Sequence, residues 1–314
     1  MDTNEKNWER SILERIALES IAEQKRRRRW SIFFKLLGFV YLVVLLALVV
    51  DWEDPTEKLA DGKPHTAVID VDGVISPTSL ASAENVNKAL GKAFEDKHTR
   101  GVVLRINSPG GSPVQSGMIN DEIRRLRGKY PDIPIYAVVE DLCASGGYYV
   151  AAATDRIFVD KASIVGSIGV LMDSFGFTGA MDKLGVERRL LTAGENKGFL
   201  DPFSPQDAKQ LEHAKVLLGD VHQQFIEVVR QGRGKRLKES PELFSGLMWT
   251  GQRAVELGLA DDLGNVAQVA RDVVKAETLK DFTTTESLAD RLVKHLGTQM
   301  GETLNGLLAG ISLR

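Results

Sequence analysis

Two glycine-rich turns, each placed directly after an apolar run, constrain this chain more than any other feature. GVVLRIN (101–107) runs into SPGGS (108–112), and IYAVV (135–139) runs through EDLC into ASGG (144–147). Near-continuous apolar runs of this kind suit strands covered on both faces. A glycine pair at such a strand end lets the chain turn sharply and leaves backbone N–H groups uncovered. The second turn also carries a serine. A serine hydroxyl beside bare amides is the combination that acyl-transfer chemistry needs, a nucleophile next to donors for a developing oxyanion.

The remaining pattern agrees with a parallel sheet. TAVIDVDG (66–73) is strand-like and ends in a glycine turn, and RIFVD (156–160) is a short strand. Helical stretches are expected over 81–96 and 113–128, and GGYYVAAAT opens a further one. Strands alternating with helices predict crossover connections. Residues 204–230 read as a long amphipathic helix opened by Ser204 and Pro205. WTGQRAVELGLADDLG (249–264) reads as a Thr-capped helix, a turn and a closing strand, and 265–276 as helical.

Upstream lies a different kind of segment. Residues 30–50, WSIFFKLLGFVYLVVLLALVV, carry one charge, Lys35. A helix of that length rises roughly 31 Å, enough to cross a hydrocarbon core of about 30 Å. KRRRR (25–29) precedes it, and Asp51, Glu53 and Asp54 follow. The basic flank predicts a cytoplasmic N-terminus and a catalytic region on the far side. A cleaved signal peptide and a buried core helix are the alternatives. The first would have an unusually long basic region and lacks a small-residue cleavage site. The expected organisation is a cytoplasmic segment over 1–29, a transmembrane helix over 30–50, a polar tether over 51–64, a catalytic domain over 65–275 and a helical tail over 276–314.

Composition excludes some classes. A net charge of −3 offers no global attraction to nucleic acid, and the single cysteine, Cys143, rules out an intrachain disulfide and a Cys-rich zinc site. No cofactor or metal is expected. Cys143, two residues before the candidate nucleophile, reads as a small buried apolar side chain.

A serine nucleophile needs a base. The histidines are His65, His98, His213, His222 and His295, and none falls between 99 and 212, where the turns cluster. His213 and His222 read as polar residues of the long helix. A Ser-His-Asp triad is therefore without support, though not excluded by the sequence. Lysine can take the role when burial disfavours its ammonium. The candidate is Lys197, in TAGENKGFLDPF, flanked by glycine, phenylalanine and proline rather than by a charged helix face.

At this point the chain resembles a known family, signal peptide peptidase A, the membrane-anchored serine–lysine peptidases, in its short single-repeat form. The resemblance spans about residues 64–275 and rests on SPGGS, ASGGYYVAAATDRIFVD (144–160), VGSIGV (165–170), GENKGFLDPFSP (194–205) and WTGQRAVELGLADDLG. It implies a crotonase/Clp-protease-like α/β fold. It makes Ser145 the nucleophile, Lys197 the general base and the amides of Gly111 and Gly146 the oxyanion hole, with Ser167 supporting the lysine. It implies that signal peptides and other short apolar peptides are the substrates, at a bacterial inner membrane, with the catalytic domain periplasmic. It also implies a ring-shaped homo-oligomer in which neighbouring protomers share each site. A crotonase-like acyl-CoA enzyme and a catalytically inactive membrane scaffold on the same fold are the alternatives.

Overall fold

The computed structural model describes residues 23–44 and 62–285. Residues 23–44 are helical and exposed throughout, and they form a unit separate from the one containing 62–285. Among the described residues, no helix is long and apolar enough to cross a membrane. The last part of the expected span, 45–50, lies outside them, as do the segments 1–22, 45–61 and 286–314.

The domain over 62–285 is a mixed α/β sheet with mostly parallel strands. Three long strands form its centre: β1 (His65–Asp72), β2 (Thr99–Ser108) and β3 (Ile135–Ala144), paired in parallel in the order β1-β2-β3. Val102, Val103, Leu104 and Ile106 of β2 are all buried, which is why this strand reads as an apolar run rather than an alternation. Two helices make the crossovers. Ser82 accepts from the Asn85 amide to cap α1 (Ala83–Glu95), and Ser112 accepts from the Gln115 amide to cap α2 (Pro113–Lys129), with Pro113 in its first turn. The two helix starts are tied together where the Ala83 amide donates to Gln115 Oε1 at 2.8 Å.

Beyond β3 the sheet forks. The first half of β3 pairs with β4 (Arg156–Val159) through Tyr136–Val138, and its last residues, Leu142–Ala144, pair with β5 (Ile164–Gly166). Between β3 and β4 in the chain lies the short helix α3 (Gly146–Ala151), every residue of it buried. β5 pairs antiparallel with β6 (Met248–Thr250), and β4 pairs with β7 (Asp262–Leu263). On the opposite edge β8 (Leu279–Asp281) lies parallel to β1. Those residues fall within the stretch expected as a helical tail; three residues are too few for a strand period to show in the sequence.

Most of the remaining expectations hold. Thr250 caps α5 (Gly251–Leu257) through its side chain, β7 closes the segment, and 266–274 is helical. The long helix, α4 (Ala208–Arg233), starts later than Ser204 and Pro205 suggested. Its cap is Asp207, whose carboxylate accepts from both the Lys209 and Gln210 amides, while the Ser204 hydroxyl donates to Asp201 instead. α4 is anchored near its C-terminal end: Phe225 packs against Tyr149 of α3 at 5.1 Å between ring centroids, and Arg233, buried, pairs with Asp261 at 2.8 Å.

Between β5 and α4 runs a segment of another character. No residue from 169 to 213 is buried, although Leu171, Phe175, Leu184, Val186 and Leu191 all lie there. Its one helix, Thr178–Leu184, buries nothing.

Candidate active site

The two glycine turns meet. β2 ends at Ser108, whose hydroxyl donates to the Gly73 carbonyl at 2.6 Å and accepts from the Gly110 amide at 3.1 Å. Gly110 (φ 96°) and Gly111 (φ 150°) then take conformations that L side chains rarely adopt. Space forbids a side chain there as well. A Cβ on Gly110 would stand 2.5 Å from the Gly146 nitrogen, and one on Gly111 would stand 2.2 Å from the Ile75 carbonyl oxygen. The backbones of 110–111 and 145–146 are therefore in direct contact.

β3 delivers Ser145 to the same place. Ser145 has φ 51° and ψ −120° and forms the N-cap of α3. Such a conformation costs about 1–3 kcal/mol in a non-glycine residue and persists only where neighbours hold it. Here the Ser145 amide donates to the Gly166 carbonyl at 2.9 Å, and the Tyr149 amide donates to the Ser145 carbonyl at 2.9 Å. The turn projects the half-buried Ser145 hydroxyl, which has no protein partner among the described residues. Beneath it Cys143 is fully buried, and burial pushes its thiol well above the ordinary range, which makes it an inert packing group.

The amides of Gly111 and Gly146 donate to no acceptor among the described residues. Gly146 is the first residue of α3, where an intrahelical partner is lacking in any case. Ile75 bridges to the turn through its own amide and carbonyl, to Gly110 and Ser112, and so leaves the Gly111 N–H uncommitted.

These groups border a cleft of about 570 Å³. Ser145, Gly111, Gly146 and Ser167 all line it. Ser167 repeats the backbone strain of Ser145, with φ 51°, and is pinned where its amide donates to the Leu247 carbonyl at 2.8 Å. One wall is apolar and comes from α4 and α3: Val221, Phe225 and Tyr149. Leu171 stands at the rim, 81% exposed. Lys197 is not among the residues that line the cleft. It is exposed, in the segment that buries nothing, on a turn where its amide donates to the Gly194 carbonyl. Four of the five expected site residues are thus together, and the fifth stands apart from them within one chain.

No histidine lines the cleft. His213 packs its ring against Phe199, and His222 contacts the Ile168 carbonyl at 3.2 Å. His65 is buried beside Thr99 and Asp96, at the N-terminal ends of the strands. His295 lies outside the described residues. The sequence reading did not single out the α4 wall or Ser116, which also borders the cleft. Ser116 had a signal: it belongs to the inward stripe Ser116, Ile119, Asn120, Ile123 of α2, at helical spacing.

Comparison with known proteins bears on what this arrangement does. Residues 128–281 match the model of peptidase family S49. A putative signal peptide peptidase SppA of Enterococcus faecium is 32% identical over 294 residues, covering 83% of this chain and 84% of that protein. Protease 4 of Haemophilus influenzae is 29% identical over 287 residues, 83% of this chain and 44% of that protein. A Brucella melitensis protein named Na(+)/H(+) antiporter NhaA is 44% identical over 246 residues, 78% of this chain. The match spans only 32% of that protein's length, so the antiporter name describes a molecule roughly two and a half times as long as this chain. The S49 match, the mostly parallel α/β sheet and the near full-length similarity to the Enterococcus protein agree: the chain belongs to the signal peptide peptidase A family of peptidases, family S49.

Proposed function

We propose that the protein is a membrane-anchored serine endopeptidase that uses a Ser145–Lys197 dyad to degrade cleaved signal peptides and other short apolar peptides. The observation that carries this reading is the pair of uncommitted amides, Gly111 and Gly146, beside the strained Ser145 turn. In the reaction Ser145 Oγ attacks the scissile carbonyl carbon while Lys197 Nζ, as a neutral amine, takes the hydroxyl proton. The carbonyl oxygen becomes an oxyanion held by the Gly111 and Gly146 N–H groups. The intermediate collapses as the Nζ ammonium gives its proton to the leaving amine, and water then releases the acyl group by the same route. Ser167, at the cleft, orients the lysine amine.

The dyad forms between protomers. Lys197 sits on an exposed apolar segment, and Ser145 sits in a cleft that Lys197 does not line. A neighbouring copy whose 170–206 segment covers the cleft would bring the two together and remove water from the amine, in a closed ring with heterologous contacts. Burial in that contact supplies the desolvation a lysine base requires. The apolar wall of Val221, Phe225 and Tyr149 favours extended substrates with small or apolar side chains.

The anchor is the segment 30–50, in a bacterial inner membrane, with the N-terminus cytoplasmic and the catalytic domain outside, as the basic 25–29 flank requires. The test of the chemistry is labelling of the full chain in detergent by a fluorophosphonate. The label should fall on Ser145 and be absent from Ser145→Ala. A wild-type chain that stays unlabelled while folded would point to an acyl-CoA enzyme or an inactive scaffold. A reporter fused after Arg314 should be active only if it functions outside the cytoplasm; the reverse pattern overturns the topology.

A further inference from the structure

Ser116 is the one polar side chain at the cleft that is fully buried and has nothing to bond. Its exposure is 0%, and its Oγ makes no hydrogen bond among the described residues. Native proteins pair the large majority of buried polar atoms, so an orphan needs an explanation. The same face of α2 supplies the contrast. Asn120, one turn on and equally buried, is fully engaged: its Nδ2 donates to the Tyr149 carbonyl at 2.8 Å and its Oδ1 accepts from Arg124 at 2.9 Å. A helical serine also has a local way out, its hydroxyl bonding back to the carbonyl one turn earlier. Ser116 does not take it.

The hydroxyl lies against Gly146. A Cβ on Gly146 would stand 2.4 Å from Ser116 Oγ and 3.2 Å from the Gly111 nitrogen. Ser116 Oγ thus takes up room that a side chain on Gly146 would need, on the side of Gly146 that approaches the Gly111 nitrogen. Three donors, two backbone N–H groups and one hydroxyl, stand together without an acceptor, and all three residues line the cleft that holds Ser145.

We propose that Ser116 is a further catalytic residue, the third hydrogen-bond donor to the oxyanion. The inference rests on the reading of Ser145 as nucleophile. In the free enzyme the hydroxyl is idle. When the carbonyl carbon becomes tetrahedral its oxygen acquires negative charge, and Ser116 O–H turns to donate to it alongside Gly111 N–H and Gly146 N–H. No proton is transferred from Ser116, and no bond to it forms or breaks. Because the donor is matched to the oxyanion and not to the ground-state carbonyl, its contribution belongs to kcat rather than to substrate affinity.

The experiment compares wild type with Ser116→Ala in the full chain, using a fluorogenic apolar peptide substrate and a peptide aldehyde, which forms a tetrahedral adduct with a nucleophilic serine. Loss of a primary oxyanion donor costs roughly 10²–10³ in kcat, and a third donor is expected to be worth less. The expected result is a kcat lower by roughly 10–100-fold, an unchanged KM and a matching loss of aldehyde affinity. The melting temperature should be unchanged or raised, since an unsatisfied buried hydroxyl has been removed. Ser116→Cys, which keeps the volume with a weaker donor, should fall between the two. Unchanged kcat and aldehyde affinity in Ser116→Ala would overturn the proposal. So would a lowered melting temperature with kcat and KM lost together, which marks a packing role. Failure of the underlying reading looks different, because fluorophosphonate would then leave wild-type Ser145 unlabelled.

Discussion

Leu104 of β2 is 0% exposed and Leu191 of the 170–206 segment is 96% exposed, and the two regions that hold them explain each other. The region around β2 and β3 contains its own partners. α1 and α2 cover the sheet, and the strained backbones of Gly110, Gly111 and Ser145 are held by bonds to Ser108, Ile75 and Gly166. The segment 170–206 has comparable side chains and no such cover. An exposed apolar stretch of that extent in a folded protein marks a surface meant to meet another surface. The difference is that the strained turns around Ser145 are held by bonds within one chain, whereas the segment that carries Lys197 leaves its apolar side chains uncovered there; on the reading proposed above, a partner copy covers them.

The largest effects should come from setting the two regions against each other. Ser145→Ala and Lys197→Ala are each expected to lose more than ~10³-fold in peptide hydrolysis, while melting temperatures stay put. Mixed assemblies of the two variants should regain partial activity, since some interfaces pair an intact serine with an intact lysine. Mixed assemblies that form and remain dead would place the dyad within one chain and erase the distinction between the regions. Lys197→Arg should be as inactive as Lys197→Ala, because a guanidinium stays protonated.

Glycine substitutions give the next largest contrast. Gly111→Ala places a Cβ 2.2 Å from the Ile75 carbonyl oxygen at φ 150°. It should destabilise the domain by more than ~3 kcal/mol in urea unfolding. Gly194→Ala, near Lys197, also has a positive φ, 107°, but its Cβ meets nothing closer than Lys197 Cβ at 4.0 Å. It should cost only about 1 kcal/mol. Equal losses would mean that the 170–206 segment is as tightly constrained as the core.

Asp261 sharpens the comparison from the core side. Burial raises its carboxyl, but the Arg233 hydrogen bond and charge, the Ile157 amide and Arg236 more than offset this and hold it below the usual carboxylate range. A group whose folded pKa is depressed stabilises the fold above its unfolded pKa and loses that contribution as pH falls through the folded value. Asp261→Asn should therefore cost about 3 kcal/mol at neutral pH, a cost that shrinks below about pH 4. A mutant with the same pH dependence of stability as wild type would show that the pair contributes nothing. The smallest effect on the fold is expected at Leu191→Asp, within about 0.5 kcal/mol by urea unfolding. Its readout is assembly: sedimentation should show fewer subunits, with activity falling in step. An assembly that tolerates the aspartate would remove Leu191 from the interface.

Legibility follows how local each determinant is. SPGGS and ASGG could be read because a turn at a strand end is encoded in consecutive residues, and the β1–β3 runs because burial on both faces leaves a continuous apolar signature. The start of α4 was misplaced by two competing caps a few residues apart. Ser204 and Pro205 have the right residue types, but Asp207 captures two amides, and only the three-dimensional contact of Ser204 with Asp201 decides between them. β8 escaped because its partner, β1, is some two hundred residues away. The helical spacing of Ser116 marks it as an inward residue of α2 and nothing more; its meaning comes from Gly146, which reaches it from another strand end.

The bonds that hold the serine turns also set a schedule for biosynthesis. Ser145 is held by the carbonyl of Gly166, and Ser167 by the carbonyl of Leu247. A chain leaving the ribosome therefore presents both glycine motifs before Gly166 can hold Ser145, and long before Leu247 can hold Ser167. The constellation comes into being only after residue 247 has emerged and β6 has closed on β5. On the proposed reading, a truncated product that stops between residues 166 and 247 keeps the bond that holds Ser145 but lacks the one that pins Ser167, so its cleft is left unfinished.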